Sequence, residues 1–322
     1  MSYKRIACLG LALALLLLSG CAPASAPSAV QIFALRGLFG GKDAAAEETP
    51  ATASPYVAPA FLDAAFHADQ AEGSDAVRLD LSGVNDGYVA VSAVSEKRLK
   101  CQVILDDQTY TYNLASDGTP SIFPLQCGDG TYRLRVMENV VDSKYAELFS
   151  QSFSVSLSDA FQPFLRPSDY VDYQKDSACV AKASELAQSA GDALGLVGAV
   201  YDYVCATVTY DRELAASVKS GYLPVPDRTL QSGKGICFDY AALAAAMLRS
   251  QGIPTKMVFG YVAPDQLYHA WNMFYTAQTG WVAVKFEVTA DSWVRIDLTF
   301  AANGADSKFI GDGSNYSDVY YY

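Results

Sequence analysis

The chain has 322 residues, a formal net charge of −12 at pH 7 and 51% hydrophobic residues. This length and apolar content predict about two domains with substantial cores. The excess of acidic residues argues against nucleic acid and anionic lipid headgroups as partners, because the protein's own field repels both.

The first twenty residues predict export. Lys4 and Arg5 precede an almost entirely apolar run over residues 6–18, which is too short for a spanning helix and ends in small residues, as a secretory signal does. The ending Leu18-Ser19-Gly20-Cys21 resembles the lipobox of bacterial lipoproteins. That resemblance implies an extracytoplasmic protein anchored to the bacterial cell membrane through lipid on Cys21. An ordinary signal peptide followed by an incidental cysteine is the alternative.

Two regions follow the signal. Residues 21–59 predict a disordered tether, since their Ala, Pro, Ser, Thr and Glu cannot bury enough surface to offset chain entropy. Residues 60–160 predict a small all-β, sandwich-like domain, because short β-rich runs alternate with turn sequences. Those runs cover residues 76–81, 87–94, 99–105, 109–114, 131–137 and 150–157. We interpret this domain as a spacer or binding module.

Residues 161–322 change to helices followed by strands, an order typical of an α+β fold. Two helices are predicted from Asp176 to Ser189 and from Asp192 to Val208, each with an aspartate placed to cap its start. A third helix is predicted over residues 236–251, rich in Ala and Leu. Strands are predicted over residues 255–262, 268–276, 280–288 and 292–299.

The seven cysteines separate by position. Cys8 leaves with the signal and Cys21 is the lipid site, so five remain in the folded part. Disulfides are expected in an exported protein, and an odd number leaves one thiol free. A hairpin of antiparallel helices about residue 191 predicts that Cys179 pairs with Cys205. Cys101 and Cys127 are then left to pair within the β-domain.

Cys237 is the cysteine whose sequence surroundings indicate a reactive thiol. It follows Gly233-Lys234-Gly235 and stands at the start of the third predicted helix. The helix dipole and its unpaired N–H groups favour thiolate there, which predicts a lowered pKa. The same N–H groups can hold an oxyanion when a carbonyl is attacked. A buried cysteine that serves only as a small hydrophobe is the alternative.

Two further residues would complete a catalytic set. His269 lies in the apolar segment Tyr268-His269-Ala270-Trp271, where a neutral imidazole beside the thiol could take and return its proton. A histidine that pairs with a backbone carbonyl in the core is the alternative. Asp297 ends a predicted strand and could orient the other ring nitrogen. An ordinary aspartate at a strand end is the alternative there.

Three motifs in this order resemble the transglutaminase-like superfamily. They are the glycine-cysteine segment 233–241 opening a helix, the strand containing His269 and Trp271, and the Trp-x-x-x-Asp-x-Thr strand over residues 293–299. The resemblance covers roughly residues 170–322 and implies a papain-like α+β core, with the cysteine helix packed on an antiparallel sheet. It also implies Cys237 as nucleophile, His269 as base and acid, and Asp297 as the residue that orients the imidazole.

The aspartate position departs from the family pattern. Many members place it directly after the histidine hairpin, where this chain has Lys285. The tryptophan-aspartate pattern returns twelve residues later, which predicts an inserted hairpin and favours Asp297 over Asp291 and Glu287. Gln231 is a further candidate for oxyanion or substrate contact, with a solvent-exposed loop glutamine as its alternative reading. Trp271 is a second candidate for such a contact.

Three functions compete. The first is a cysteine hydrolase or transamidase that attacks amides of a peptide or protein substrate, such as a component of the cell envelope, through a thioester. The second is a non-catalytic surface module that keeps this fold for binding. The third is a metal site, which the histidine and cysteine spacing disfavours. We therefore expect no metal and no cofactor.

Overall fold

A computed structural model describes residues 54–262, 267–288, 293–300 and 316–322. The predicted signal peptide, Cys21 and residues 21–53 of the predicted tether lie outside the described residues. The last tether residues are described and contact the folded chain. The Tyr56 amide donates to the Ala190 carbonyl at 2.7 Å, and the Tyr56 hydroxyl donates to the Gln251 carbonyl at 2.9 Å. Contact with the folded chain therefore begins before residue 60, because the Tyr56 amide and hydroxyl both donate hydrogen bonds to it.

Two antiparallel sheets form the first part of the chain. One has the strand order β1-β2-β3-β6 and the other β5-β4-β7-β8. Inward positions alternate, as in β4, where residues 99, 101 and 103 are buried. The all-β prediction is confirmed, although β1, of two residues, and β6, of four, were not among the predicted strands. The strands are β1 (Glu72–Gly73), β2 (Val77–Asp80), β3 (Tyr88–Ala93), β4 (Leu99–Leu105), β5 (Gln108–Leu114), β6 (Ser121–Pro124), β7 (Gly130–Val141) and β8 (Lys144–Val155).

Five α-helices follow among the described residues: α1 (Ala178–Ala187), α2 (Ala193–Thr207), α3 (Arg212–Ser217), α4 (Pro226–Ser232) and α5 (Cys237–Ser250). Asp192 caps α2 as predicted, accepting from the Gly195 amide at 2.7 Å. Asp176 does not cap α1. The N-cap of that helix is Ser177, and the amides of Ala178 and Cys179 at its start donate to the carboxylate of Asp227 on α4. No helix among the described residues is long and apolar enough to cross a membrane.

The last sheet carries the cysteine helix. It has the order β14-β13-β12-β11-β15, all antiparallel, and α5 packs on β11 and β12. The five alanines of α5 are wholly buried, so the helix lies close to its neighbours on all sides. These strands are β11 (Thr255–Val262), β12 (Leu267–Thr276), β13 (Gly280–Val288), β14 (Trp293–Phe300) and β15 (Tyr316–Tyr321), while β9 (Thr209–Tyr210) and β10 (Lys234–Gly235) form a small parallel pair. The predicted α+β architecture is confirmed.

The β-sheets and the helical part share one buried core within the unit Ala53–Tyr322. Arg249 at the end of α5 is buried and donates to the carbonyls of Thr255, Arg166 and Tyr322 at 2.9–3.0 Å. Tyr170 packs edge-on against Phe238 of α5, with ring centroids 5.4 Å apart. The segment between β8 and α1, which contains Arg166 and Tyr170, therefore packs against the helix that begins at Cys237, and a domain boundary at residue 160 stays a prediction.

Neither predicted disulfide is present among the described cysteines. Cys101 and Cys127 are free thiols. The Cys127 thiol donates to the Gln108 side chain at 3.1 Å, and Gln108 lies opposite Leu105 in the β4–β5 hairpin. Cys101 is four residues farther along β4, about 13 Å at the usual rise per strand residue. The two cysteines therefore lie at different points along the β4–β5 hairpin, and the structure contains no bond between them.

The helical pair fails for a different reason. Cys179 is a free, buried thiol, and its side chain hydrogen-bonds to the Asp227 carboxylate on α4. It therefore faces α4 and not the end of α2, where Cys205 lies. The sequence predicted a simple hairpin of two helices, whereas α4 packs against the start of α1.

Candidate active site

Cys237 is the first residue of α5, held by a network of hydrogen bonds around Asp239. The Asp239 carboxylate accepts from the Ile236 amide at 2.8 Å and from the Tyr222 hydroxyl at 2.6 Å. A Cβ at Gly235 would approach the Asp239 Cβ to 2.6 Å, so only glycine fits before the helix start. The capping carboxylate thus fixes the turn that presents Cys237, because it satisfies an amide just before the helix.

The thiol of Cys237 has a raised pKa. Burial is the largest cause, since it disfavours the charged thiolate, and the nearby Asp239 carboxylate raises the pKa further. Backbone N–H groups of Ala270, Phe238 and Cys237 itself act in the opposite direction by donating to the sulfur. The predicted lowering of the pKa is therefore wrong for the resting protein, because desolvation outweighs the helix N-terminus.

Cys237 and His269 line one cavity of about 480 Å³. Its walls come from the segment 210–222 on one side and from β11 and β12 on the other. The lining is mainly apolar and includes the aromatic rings of Tyr210, Phe238 and Tyr268. The structure thus brings together two of the three predicted catalytic residues in a space open to a ligand.

His269 lies on β12 directly opposite Gly260 of β11. Its side chain is buried, with 8% of its surface exposed, and its ring stacks on Trp271 with centroids 6.4 Å apart. Gly260 has no side chain that could cover the imidazole from the neighbouring strand. Trp271 is buried and is not among the cavity-lining residues, so it contacts the histidine ring and has no contact with the cavity.

The backbone register places Asp297 on β14 opposite Val284 of β13, which in turn lies opposite Asn272 of β12. The β12–β13 ladder ends at that Asn272–Val284 pair, and His269 lies three residues beyond it. Asp297 is therefore aligned with Asn272, and one strand separates it from the strand of His269. Its role stays a prediction.

The alternatives to Asp297 occupy nearby positions. Lys285 and Glu287 lie on β13 opposite Ile296 and Val294, and Asp291 lies outside the described residues. Strands β13 and β14 pair antiparallel, and their being an insertion relative to the family pattern stays a prediction.

Gln231 lies on α4, is exposed and is not among the cavity-lining residues. The residues placed to donate to the sulfur are instead backbone amides, above all that of Ala270. Among the residues that the structure describes, no group of three or more His, Cys, Asp or Glu side chains is placed to hold a metal ion.

Sequence reasoning missed the wall that covers the cysteine. Helix α3 and residues 218–222 line the cavity, and Tyr222 connects this wall to Asp239 beneath the thiol. An aspartate two residues after the cysteine is a recognisable capping position, but its link to Tyr222 spans 17 residues and depends on the fold.

Comparison with known proteins identifies the class of this core. Residues 180–286 match the model of the Transglutaminase-like superfamily. The match covers about a third of the chain, and the matched range includes Cys237 and His269 but ends before Asp297. No curated protein matches the chain.

Similar solved structures carry names of the same kind. A candidate cysteine protease from Cytophaga hutchinsonii is 18% identical with a TM-score of 0.35, over 72% of this chain and 80% of that one. LapG of Legionella pneumophila is 17% identical with a TM-score of 0.31, over 47% of this chain and 77% of that one. Red sea bream transglutaminase is 14% identical with a TM-score of 0.26, over 62% and 47%.

Proposed function

We propose that this chain is a cysteine enzyme that attacks amide bonds through a thioester on Cys237. One observation carries the proposal: Cys237, at the start of a buried helix, shares a cavity with His269 and receives backbone N–H groups at its sulfur. The transglutaminase-like core supports it, because members of this superfamily are generally cysteine hydrolases or transamidases.

The proposed reaction forms a thioester on Cys237 and then cleaves it. His269 takes the thiol proton as the Cys237 sulfur bonds to the substrate carbonyl carbon, and backbone N–H groups stabilise the oxyanion. The amide C–N bond then breaks, and the leaving amine takes the proton from His269. Water, or an amine in a transamidase, attacks the thioester and regenerates the thiol. Because burial raises the pKa of Cys237, proton removal accompanies attack and does not precede it.

Asp297 is proposed as the residue that orients His269. The motif around it supports this role, whereas the register aligns it with Asn272. Asp297→Asn should lower the rate of Cys237 acylation about tenfold or more if the carboxylate orients the ring. Glu287→Gln is the matched control on the neighbouring strand. A loss confined to Glu287→Gln would transfer the role to that residue.

A simple acylation experiment tests the proposed nucleophile. p-Nitrophenyl acetate should release a burst of one p-nitrophenolate per protein, and mass spectrometry should find the acetyl group on Cys237. Cys237→Ala should remove the burst. Cys127→Ala is the matched control, since Cys127 is also a partly exposed thiol. A burst that survives Cys237→Ala would contradict the assignment.

A second candidate function is a surface module that binds without catalysis. The raised pKa of Cys237 favours it, because a neutral thiol is a weak nucleophile. Wild-type protein that shows no acyl-Cys237 while still binding a peptide would support this candidate.

We further propose that the protein is held on the outer face of a bacterial membrane by lipid on Cys21, with a peptide or protein of the cell envelope as substrate. The lipobox-like sequence supports the anchor. Cys21→Ser should release mature protein into the soluble fraction. Wild-type protein without lipid on Cys21, as measured by mass spectrometry, would contradict the anchor.

A further inference from the structure

Five phenylalanine and tyrosine rings line the cavity beside Cys237. Tyr210, Tyr222 and Phe238 line one part of it, and Phe259 and Tyr268 line another. Phe238 and Phe259 contact each other edge to face, with centroids 5.0 Å apart. A space with such walls favours a planar apolar group, because both burial and ring packing then stabilise the complex.

The aromatic surface continues out of the cavity. Tyr261 and Tyr268 lie opposite one another on β11 and β12 and are 40% and 50% exposed. Their ring centroids are 5.3 Å apart, and Tyr268 also stacks on Phe259 within the cavity at 5.9 Å. Large rings that lie exposed side by side next to a cavity are typical of a recognition surface.

The cavity offers little to a polar or cationic side chain. Among its described lining residues, Lys219 is the one with a permanent charge, on a chain whose net charge is −12. The Tyr222 hydroxyl is already committed to Asp239. A lysine side chain would meet a like charge, and a glutamine amide would exchange its hydrogen bonds to water for the few hydroxyls of the lining, those of Tyr210, Ser220 and Tyr268.

We propose that the cavity binds an aromatic side chain of the residue whose carbonyl Cys237 attacks, and that the Tyr261–Tyr268 pair packs against the adjoining part of the peptide. This inference rests on the proposed amide-attacking function and gives its substrate class. The volume of about 480 Å³ accommodates one such side chain with part of its backbone. The preferred acyl donor is then an aromatic residue and not glutamine.

Matched covalent probes test the preference. N-acetyl-phenylalanine, N-acetyl-glutamine and N-acetyl-glycine chloromethyl ketones share one reactive group, in which the thiol sulfur bonds to the methylene carbon and chloride leaves. The phenylalanine probe should label Cys237 about tenfold or more faster than the other two, since ring burial stabilises the complex. Tyr268→Ala should reduce this ratio toward one, and Tyr268→Phe should retain it. Tyr145→Ala, on the distant strand β8, is the matched control and should leave the ratio unchanged.

A binding measurement separates this inference from the proposed function. N-acetyl-phenylalanine amide should shift NMR signals of the Cys237→Ala protein at lower concentration than N-acetyl-glycine amide does. Equal binding of both amides, or equal labelling by all three probes, would overturn the aromatic preference even if Cys237 forms a thioester. Selective binding without any acylation of wild-type Cys237 would support the aromatic site and contradict the proposed catalysis.

Discussion

Asp169 provides a pH-dependent test of how the first sheets are joined to the cysteine helix. Its carboxylate accepts from the Ile122 amide of β6 at 2.8 Å, and the next residue, Tyr170, packs on Phe238 of α5. Burial raises the pKa of Asp169 from 3.8 to about 6, against the opposing effect of its hydrogen bonds. At about 1.4 kcal/mol for each pKa unit, ionisation of this group disfavours the folded state by about 3 kcal/mol.

The sign of the effect follows from linkage. The folded state binds the proton more tightly, so this contribution to stability is fully present below pH 3.8 and is lost as the pH rises through about 6. Asp169→Asn removes the ionisation. Relative to wild type, the variant should therefore gain about 2–3 kcal/mol between pH 4 and pH 7.5.

Urea denaturation at pH 4 and pH 7.5 gives the free energy of unfolding of each protein. The change with pH is then compared between wild type and Asp169→Asn, so that pH-independent effects of the amide cancel. Asp142→Asn, at the exposed tip of the β7–β8 hairpin, is the matched control. If the free energies of unfolding of wild type and Asp169→Asn change by the same amount between pH 4 and pH 7.5, the raised pKa of Asp169 is contradicted.

Three further predictions concern the helices and thiols. Asp192→Ala should lower the free energy of unfolding by about 1 kcal/mol because the cap of α2 is lost, whereas Asp176→Ala, which caps nothing, should change it little; equal effects would contradict the cap assignment. The rate of Cys237 alkylation by iodoacetamide should rise with pH to an inflection above 9. Asp239→Asn should move that inflection to lower pH, since the carboxylate raises the thiol pKa. An inflection below pH 7 in wild type would show that burial does not determine the pKa of Cys237. Peptide mapping without reductant should find Cys101 unpaired, since it is a buried free thiol, and a Cys101 disulfide would contradict this assignment.

The strands and the helix of the site could be predicted because their patterns are local. The α5 prediction of residues 236–251 differs by one residue at each end from the observed Cys237–Ser250, since the alanine-rich run, the glycines before it and Gly252 after it all act on neighbouring backbone. Strands β11 to β14 were likewise predicted to within one residue at each end, whereas β15 was not predicted. The shared cavity of Cys237 and His269 was expected only through the family resemblance.

The disulfides, the α1 cap and the thiol pKa could not be predicted because each depends on a distant partner. Asp227, nearly fifty residues away, caps α1 and hydrogen-bonds to the Cys179 side chain. Asp176 therefore does not cap α1, and Cys179 does not pair with Cys205. Burial by the segment 210–222 and by β12 decides the pKa of Cys237, and no local pattern encodes that burial. A helix N-terminus alone was therefore an insufficient guide to thiol reactivity.

The central claim is that His269 activates Cys237. The most direct test is the rate at which p-nitrophenyl acetate acetylates Cys237 at pH 7.5, followed by intact mass, in wild type and in His269→Ala. The rate in His269→Ala should be lower by about a hundredfold or more, the usual contribution of a positioned general base. His67→Ala, which changes the other histidine among the described residues, should leave the rate unchanged. Equal rates in wild type and His269→Ala would contradict the claim.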